Sequence, residues 1–359
     1  MTKQRRVLET LGVLLLLGLT AAFLYGGFAF LKSFGGPKLI ATALAIVWGL
    51  GSIALLYFVL NKMAESLPRR VRSIALPTVF AGPALVILFW FLVLPTLRTL
   101  WLSFFDETSA HFVGLKNFAF AFTDRIMLES FRNNLMWMVF GTFFCVGLGL
   151  VIAVLADRSR WEKLYKAVIF MPMAISFVGA GVIWKFMYAY RGEGSGIQEI
   201  GLLNAVVVAL GGKSQAWLLI PGLNNFLLIA IMVWLQTGYA MVILSSAIKA
   251  IPGELLEAAR IDGATEFQIF FRIIIPVIQG SIVTVTTTIV IFSLKLFDIV
   301  RVMTGGNYGT DVIANEFYLE QFTYGQTGRA SSIAIVLLVA VVPIMIYNLR
   351  QFAERRAFK

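Results

Sequence analysis

The chain has one cysteine and one histidine in 359 residues. Cys145 stands alone in an apolar run, so there is no disulfide framework and no zinc set. With His111 also alone, most catalytic and metal constellations lack members. Charged residues are scarce, at 14%, and the interiors of the apolar runs carry almost no Asp, Glu or His. A proton-coupled carrier needs such groups within the membrane, so a stand-alone secondary carrier is disfavoured. A membrane enzyme is disfavoured too, because it would need paired carboxylates, histidines or metal ligands facing one side. Acids number 19 against 30 Lys and Arg, a net charge of +11. In a soluble chain that excess would suggest nucleic acid. Here the basic residues sit in short loops between apolar runs, so the partner is membrane lipid and no nucleic acid is expected.

What the chain has is apolar length. It is 59% hydrophobic, with a mean hydropathy of +0.85, far beyond a soluble domain. The expected fold is an all-α membrane protein, a polytopic bundle of about eight transmembrane helices near 8–31, 39–61, 74–100, 134–156, 167–190, 223–247, 273–296 and 331–350. The first run follows Lys3, Arg5 and Arg6. It is too long for a signal peptide and no clear small-residue cleavage site follows, so it reads as a retained anchor. Residues 1–73 form two peripheral helices, 74–350 the main domain and 351–359 a basic tail along the cytosolic surface. With both termini in the cytosol, about 18 of the 30 basic residues fall on the inside.

Within the spans, glycines at Gly26-Gly27, Gly49-x-Gly51, Gly141, Gly147, Gly149, Gly179 and Gly181 permit close helix approach. Pro77, Pro83 and Pro95 suggest kinks in the third span. Met171-Pro172 opens the fifth. Aromatic residues between Phe104 and Asn133 suit a membrane surface. The fragment Gly211–Ser214 resembles the end of a phosphate-binding loop, but Val207 stands where the opening glycine belongs and the loop is outside. No other ATP-binding motif is present. Leu202–Leu210 reads as a short interfacial helix.

The stretch Pro252–Pro276 is a charged island between two apolar runs. Pro252 suits a first helical turn, and Gly263 falls where a helix stops. Thr265 and Gln268 have capping-box spacing for a second helix. Pro276 bends or restarts the backbone. The product is a helix–glycine–helix knob bearing Glu254, Glu257, Arg260, Asp262 and Glu266. A solvated loop is the alternative reading.

Glu257-Ala258-Ala259, then Asp262-Gly263-Ala264, then Ile273 and Pro276, resemble the EAA loop of permease subunits in ABC import systems. Ile275 replaces the usual Leu. The resemblance implies that Glu254, Glu257, Ala258, Ala259, Asp262, Gly263, Ala264 and Pro276 couple the chain to an ATP-hydrolysing partner, with Glu257 facing a basic group there. It implies a transport subunit, not an enzyme, with no cofactor of its own: ATP and Mg belong to two ATP-binding subunits. A second permease subunit, an extracytoplasmic sugar-binding protein and a bacterial or archaeal cytoplasmic (inner) membrane complete the expectation. ATP binding would close the ATPase pair and tilt the spans through the knob.

The sixth span holds Trp234-Leu235-Gln236-Thr237-Gly238-Tyr239. Aromatic faces beside amides and hydroxyls suit a sugar, while helix packing with an interfacial aromatic is the alternative. Trp234, Leu235 and Tyr239 are similar to a W-L-x-x-x-Y stretch that contributes to the cavity of maltose-type permeases. The seventh span ends with Ser293, Lys295, Phe297 and Asp298, then Met303-Thr304-Gly305-Gly306. Lys295 and Asp298 have helical i, i+3 spacing and could pair, or Lys295 could snorkel. This run resembles carbohydrate permeases, especially those of the α-glucoside type, and Phe112-Val113-Gly114-Leu115 with Asn117 and Phe118 resembles an F-V-G-L-x-N-[YF] stretch of carbohydrate-type permeases. The expected cargo is an α-glucoside or maltose-like sugar. A polyol or glycerol phosphate ester is the rival.

Overall fold

The computed structural model describes residues 3–67, 69–192 and 201–357. The expected surface position of the basic tail after Arg350 lies outside the described side chains. The described residues are helical, with one antiparallel bridge between Phe105 and Phe112. Among the described residues seven helices are long and apolar enough to cross a membrane, and a bent pair brings the number to eight if it counts as one span.

The chain divides into two units, residues 1–97 and 98–359. The first contains α1 (Lys3–Ser33), α2 (Lys38–Ser66) and α3 (Arg69–Leu88). The division inferred from sequence placed its boundary at 73/74 instead. Of Gly26, Gly27, Gly49 and Gly51, Gly27 alone permits a close approach, since a Cβ on it would overlap the Trp48 indole; Gly26, Gly49 and Gly51 face open space. Pro77 and Pro83 lie inside α3. A wide π turn, Phe89–Val93, precedes Pro95 and accommodates its missing N–H.

A helix over Leu94–Leu102 runs across the division, and the second unit goes on with α4 (Lys116–Thr123) and α5 (Arg125–Met136). Asp124 caps α5, accepting from the Ile126 and Met127 amides at 2.9 and 3.4 Å. A π turn at Trp137–Gly141 leads into α6 (Thr142–Asp157), and α7 (Glu162–Phe170) and α8 (Phe177–Met187) follow. The fifth crossing is not the continuous helix expected over 167–190. It bends by 101° between Ala174 and Phe177. Pro172 sits in the tight turn Met171–Ala174, where its missing N–H ends the first helix. Ser176 starts the second by accepting from the Gly179 amide at 3.1 Å.

Helix α9 (Leu202–Ala209) precedes α10 (Leu223–Lys249), the axis of the unit. Its 27 residues span about 40 Å at 1.5 Å each. Leu228, Ile231, Met232, Met241 and Leu244 are fully buried. Two glycines bring neighbouring backbones onto it. A Cβ on Gly149 of α6 would sit 2.6 Å from the Ala240 Cβ. A Cβ on Gly238 of α10 would sit 2.6 Å from the Ile169 carbonyl, beside the broken span. Gly147 faces open space. The remaining helices are α11 (Gly253–Ile261), α12 (Glu266–Ile269), α13 (Ile275–Leu294), α14 (Asp298–Met303), α15 (Ile313–Tyr318) and α16 (Thr327–Ala357).

Candidate functional site

At one end of the unit α11 and α12 form the knob. The Ala264 amide donates to the Ala259 carbonyl at 3.0 Å and the Gly263 amide to Arg260 at 3.1 Å. This pair of bonds is a Schellman stop, and it requires a left-handed residue next to the helix end. Gly263 supplies it, at φ +83°. The capping box is formed: the Thr265 hydroxyl accepts from the Gln268 amide at 3.3 Å, and the Gln268 side chain accepts from the Thr265 amide at 2.8 Å. Both turns are made by the knob's own backbone and caps. Glu254, Glu257, Ala258, Asp262 and Gly263 are exposed, while Ala259 and Ala264 are half-buried against the core. Ile261 and Phe267 are 85% and 71% exposed. Pro276 stands apart, exposed in the first turn of α13 beyond the π turn Phe270–Ile274.

Ion pairs surround the knob. Glu266 accepts from Arg260 at 2.9 Å and from Arg158, in the turn after α6. Next to Arg158, the Asp157 carboxylate accepts from Lys166 of α7, and from the Ser245 hydroxyl of α10 at 2.7 Å. Lys166 also reaches Glu162 at 2.6 Å, and Glu162 pairs with Lys249.

The sixth-span residues do not form one patch. Helical geometry sends successive side chains to different faces. Trp234 and Thr237 line an open groove of about 710 Å³ between α6, α7 and α10, with Phe144, Ile169, Pro172 and Phe226. Trp234 meets Trp184 edge-on, ring centroids 5.8 Å apart. Leu235 is buried in the core, Tyr239 packs against it, and Gln236 is half-buried. The groove wall is almost wholly apolar, so the polar set that a sugar needs is incomplete on it.

The expected Lys295–Asp298 pair is absent among the described residues. Helix α13 ends at Leu294, Lys295 is its exposed cap and Asp298 opens α14, so the i, i+3 relation does not apply. Ser293 is fully buried and donates to the Ile289 carbonyl at 2.9 Å. Phe297 packs on Tyr318, centroids 5.3 Å apart, and Arg301 covers the Tyr318 ring at 4.5 Å.

At the far end from the knob, residues 304–313 form a loop with left-handed turns at Gly305, Gly306, Tyr308 and Gly309. Four buried asparagines hold it. Asn133 donates to the Gly309 and Asp311 carbonyls at 2.9 and 2.8 Å. Asn225 donates to Gly309 at 3.0 Å and Asn224 to Tyr308 at 2.8 Å. Asn134 accepts from the Ile313 amide at 2.9 Å. Sequence reasoning missed these residues. The Asn-Asn doublets at the starts of two apolar runs were the available signal, because an amide at a span's end must find partners. Asp311 in this loop and Glu316 beside it are buried, and the Asp311 carboxylate accepts from the Val312 amide at 2.7 Å and from Asn315 at 2.7 Å. Burial and the neighbouring acid push Glu316 up to about 8. Burial raises Asp311 as well, and raises Glu320 against the pull of Arg329.

Residues 145–359 match the family described as binding-protein-dependent transport system inner membrane component. The osmoprotective compounds uptake permease protein GgtC of Synechocystis is 57% identical over 280 residues, 78% of this chain and 100% of the relative. The alpha-glucoside transport system permease protein AglF of Rhizobium meliloti is 49% identical over 282 residues, 78% of this chain and 83% of the relative. A chain of the bacterial alginate ABC transporter, crystallised with an alginate pentasaccharide-bound periplasmic protein, shares the fold at TM-score 0.68. It is 18% identical, covering 78% of this chain and 94% of that one. The helical fold, the multiple crossings and these likenesses agree: this chain is a multi-pass membrane transport subunit and belongs to the family of binding-protein-dependent transport system inner membrane components.

Proposed function

We propose that this chain is the permease subunit of an ATP-driven importer in a bacterial or archaeal inner membrane, taking up a sugar of the α-glucoside class. The observation that carries the reading is the knob. It combines exposed carboxylates with Ile261 and Phe267, large apolar side chains left largely uncovered. A rigid polar helix–turn–helix tipped with bare apolar surface fits a protein partner better than water. The partner in this reading is a pair of ATP-binding subunits carrying ATP and Mg, with Glu254, Glu257, Ala258, Ala259, Asp262, Gly263 and Ala264 at the contact. In this reading the knob and both termini are cytosolic, the side that the excess of Lys and Arg in their loops favours.

The cargo assignment rests on the named relatives, one an alpha-glucoside permease. The apolar groove beside Trp234 and Thr237 supplies a stacking wall for a sugar. A second permease subunit supplies polar partners, with Gln236, Lys295 and Asp298 as this chain's contribution. An external binding protein delivers the sugar at the end of the Asn-held loop. ATP favours the closed state of its own subunits, and that preference shifts the spans from inward-facing to outward-facing.

The test is purification in mild detergent with whatever co-purifies, then uptake of a labelled α-glucoside into proteoliposomes. The reading predicts a bound ATPase, a second permease and uptake only with ATP and binding protein. A chain that emerges alone and moves solute without ATP overturns it.

A further inference from the structure

The ion pairs beside the knob join four segments that sequence keeps apart. Asp157 and Arg158 end α6, Glu162 and Lys166 start α7, Ser245 and Lys249 end α10, and Arg260 and Glu266 belong to the knob. The innermost members are well covered: Lys166 and Asp157 side chains are 19% and 12% exposed. The outer members are open, with Arg158 at 56% and Glu266 at 47%. An exposed pair adds little to stability. Its value here is connection.

Three features set the arrangement apart from scattered surface charge. Asp157 and Arg158 are consecutive, so one helix end faces both groups: Asp157 turns inward to Lys166 and Ser245, and Arg158 outward to Glu266. Glu266 takes two arginines, one from each side, and so links α11 to α12 and both to α6. Glu266 is also the first residue of α12, immediately after the capping threonine. A displacement of the knob therefore moves its carboxylate directly.

We propose that Glu266 and Arg158, backed by the Asp157–Lys166–Glu162–Lys249 cluster, are positioning residues that carry knob motion into the ends of α6, α7 and α10. The role rests on the reading of the knob as an ATPase contact. Without this clasp the knob is tethered through its flanking helices and the packing of Leu256, Ala259, Ala264 and Ile269 on the core, with no ionic link to α6. With it, the ends of α6, α7 and α10, helices that line the groove beside Trp234 farther along their length, shift together with the knob.

Two measurements test the proposal on Arg158→Gln, Glu266→Gln and the double variant. Hydrogen exchange on the full chain in lipid nanodiscs reads the clasp itself, with or without an ATPase bound. Faster exchange is expected over 157–166 in E266Q and over 262–270 in R158Q. Unchanged exchange in both overturns the clasp. The second measurement is sugar transported per ATP hydrolysed in the reconstituted complex. Each single variant is expected to lower that ratio by roughly threefold or more, with the subunits still associated. The double variant should be no worse than E266Q, which already removes the Arg158 pair along with the Arg260 pair. An unchanged ratio, or effects that multiply, overturns the linkage. If the wild-type chain has no ATPase partner, the linkage falls with the proposed function. The exchange result then separates that failure from a missing clasp.

Discussion

The two ends of the second unit are held by opposite chemistry. The knob end is tied by ion pairs that run from covered side chains (Asp157, Lys166) out to open ones (Arg158, Glu266), around a helix–turn–helix with uncovered apolar residues. The far end is tied by neutral amides, buried and donating to backbone carbonyls, beside carboxylic acids whose pKa values burial raises. Ion pairs at a wet surface are cheap to break and remake. Buried amides are not, because each one lost strands an acceptor. The contrast suits one end to transmit movement and the other to keep its shape.

The strongest way to break the comparison is Gly263→Pro. Proline cannot adopt φ +83°, so the Schellman stop fails and the knob is redirected. Uptake in proteoliposomes should fall to background while protease mapping shows the spans still inserted. Normal ATP-driven uptake would remove the knob from the mechanism. Next is Asn133→Ala at the far end. It strands the Asp311 carbonyl and leaves the Gly309 carbonyl to Asn225 alone, at about 1–3 kcal/mol for the stranded group. Thermal unfolding in nanodiscs should show a clear loss of stability. A silent substitution would mean that the loop is not held as described.

The pH response sharpens the same contrast. Glu316 ordinarily titrates near 4.5 and is raised to about 8 here. Between those values the folded chain keeps a proton that the unfolded chain releases. Stability therefore falls as pH rises from about 4.5 to about 8 and levels off above it. Glu316→Gln keeps a neutral hydrogen-bonding group, so its midpoint should vary less over that range. An identical slope in both proteins would assign the response elsewhere. The smallest effect is expected from Lys295→Met. Lys295 is exposed and makes no ion pair with Asp298, so stability should move by no more than about 0.5 kcal/mol. A drop in uptake without a drop in stability would then place Lys295 at the cargo.

What could be read from sequence follows from range. The knob was legible because its stop and its cap are made by residues within six positions of each other. The spans were legible because apolar length is itself the signal. The break at Pro172 was not, since a proline near a span's start reads equally as an entry. Lys295 and Asp298 looked like neighbours only while the helix was assumed to continue past Leu294. The far end was least visible. Asn224 and Tyr308 are 84 positions apart, and Asn133 and Gly309 are 176 apart. Nothing local at Asn133 or Asn224 says which carbonyl each amide will serve.

Those separations also set an order of assembly. Synthesis runs from the N-terminus, so Asn133, Asn134, Asn224 and Asn225 are made and their helices can insert before the 304–313 loop exists. The loop has no regular structure of its own in which to wait, and its carbonyls are served by amides from two earlier spans. It is therefore among the last parts of the chain to settle, docking onto a finished surface after long-range closure. A nascent chain arrested before residue 304 would have four asparagine side chains facing an unfilled seat, the state in which quality control would meet it.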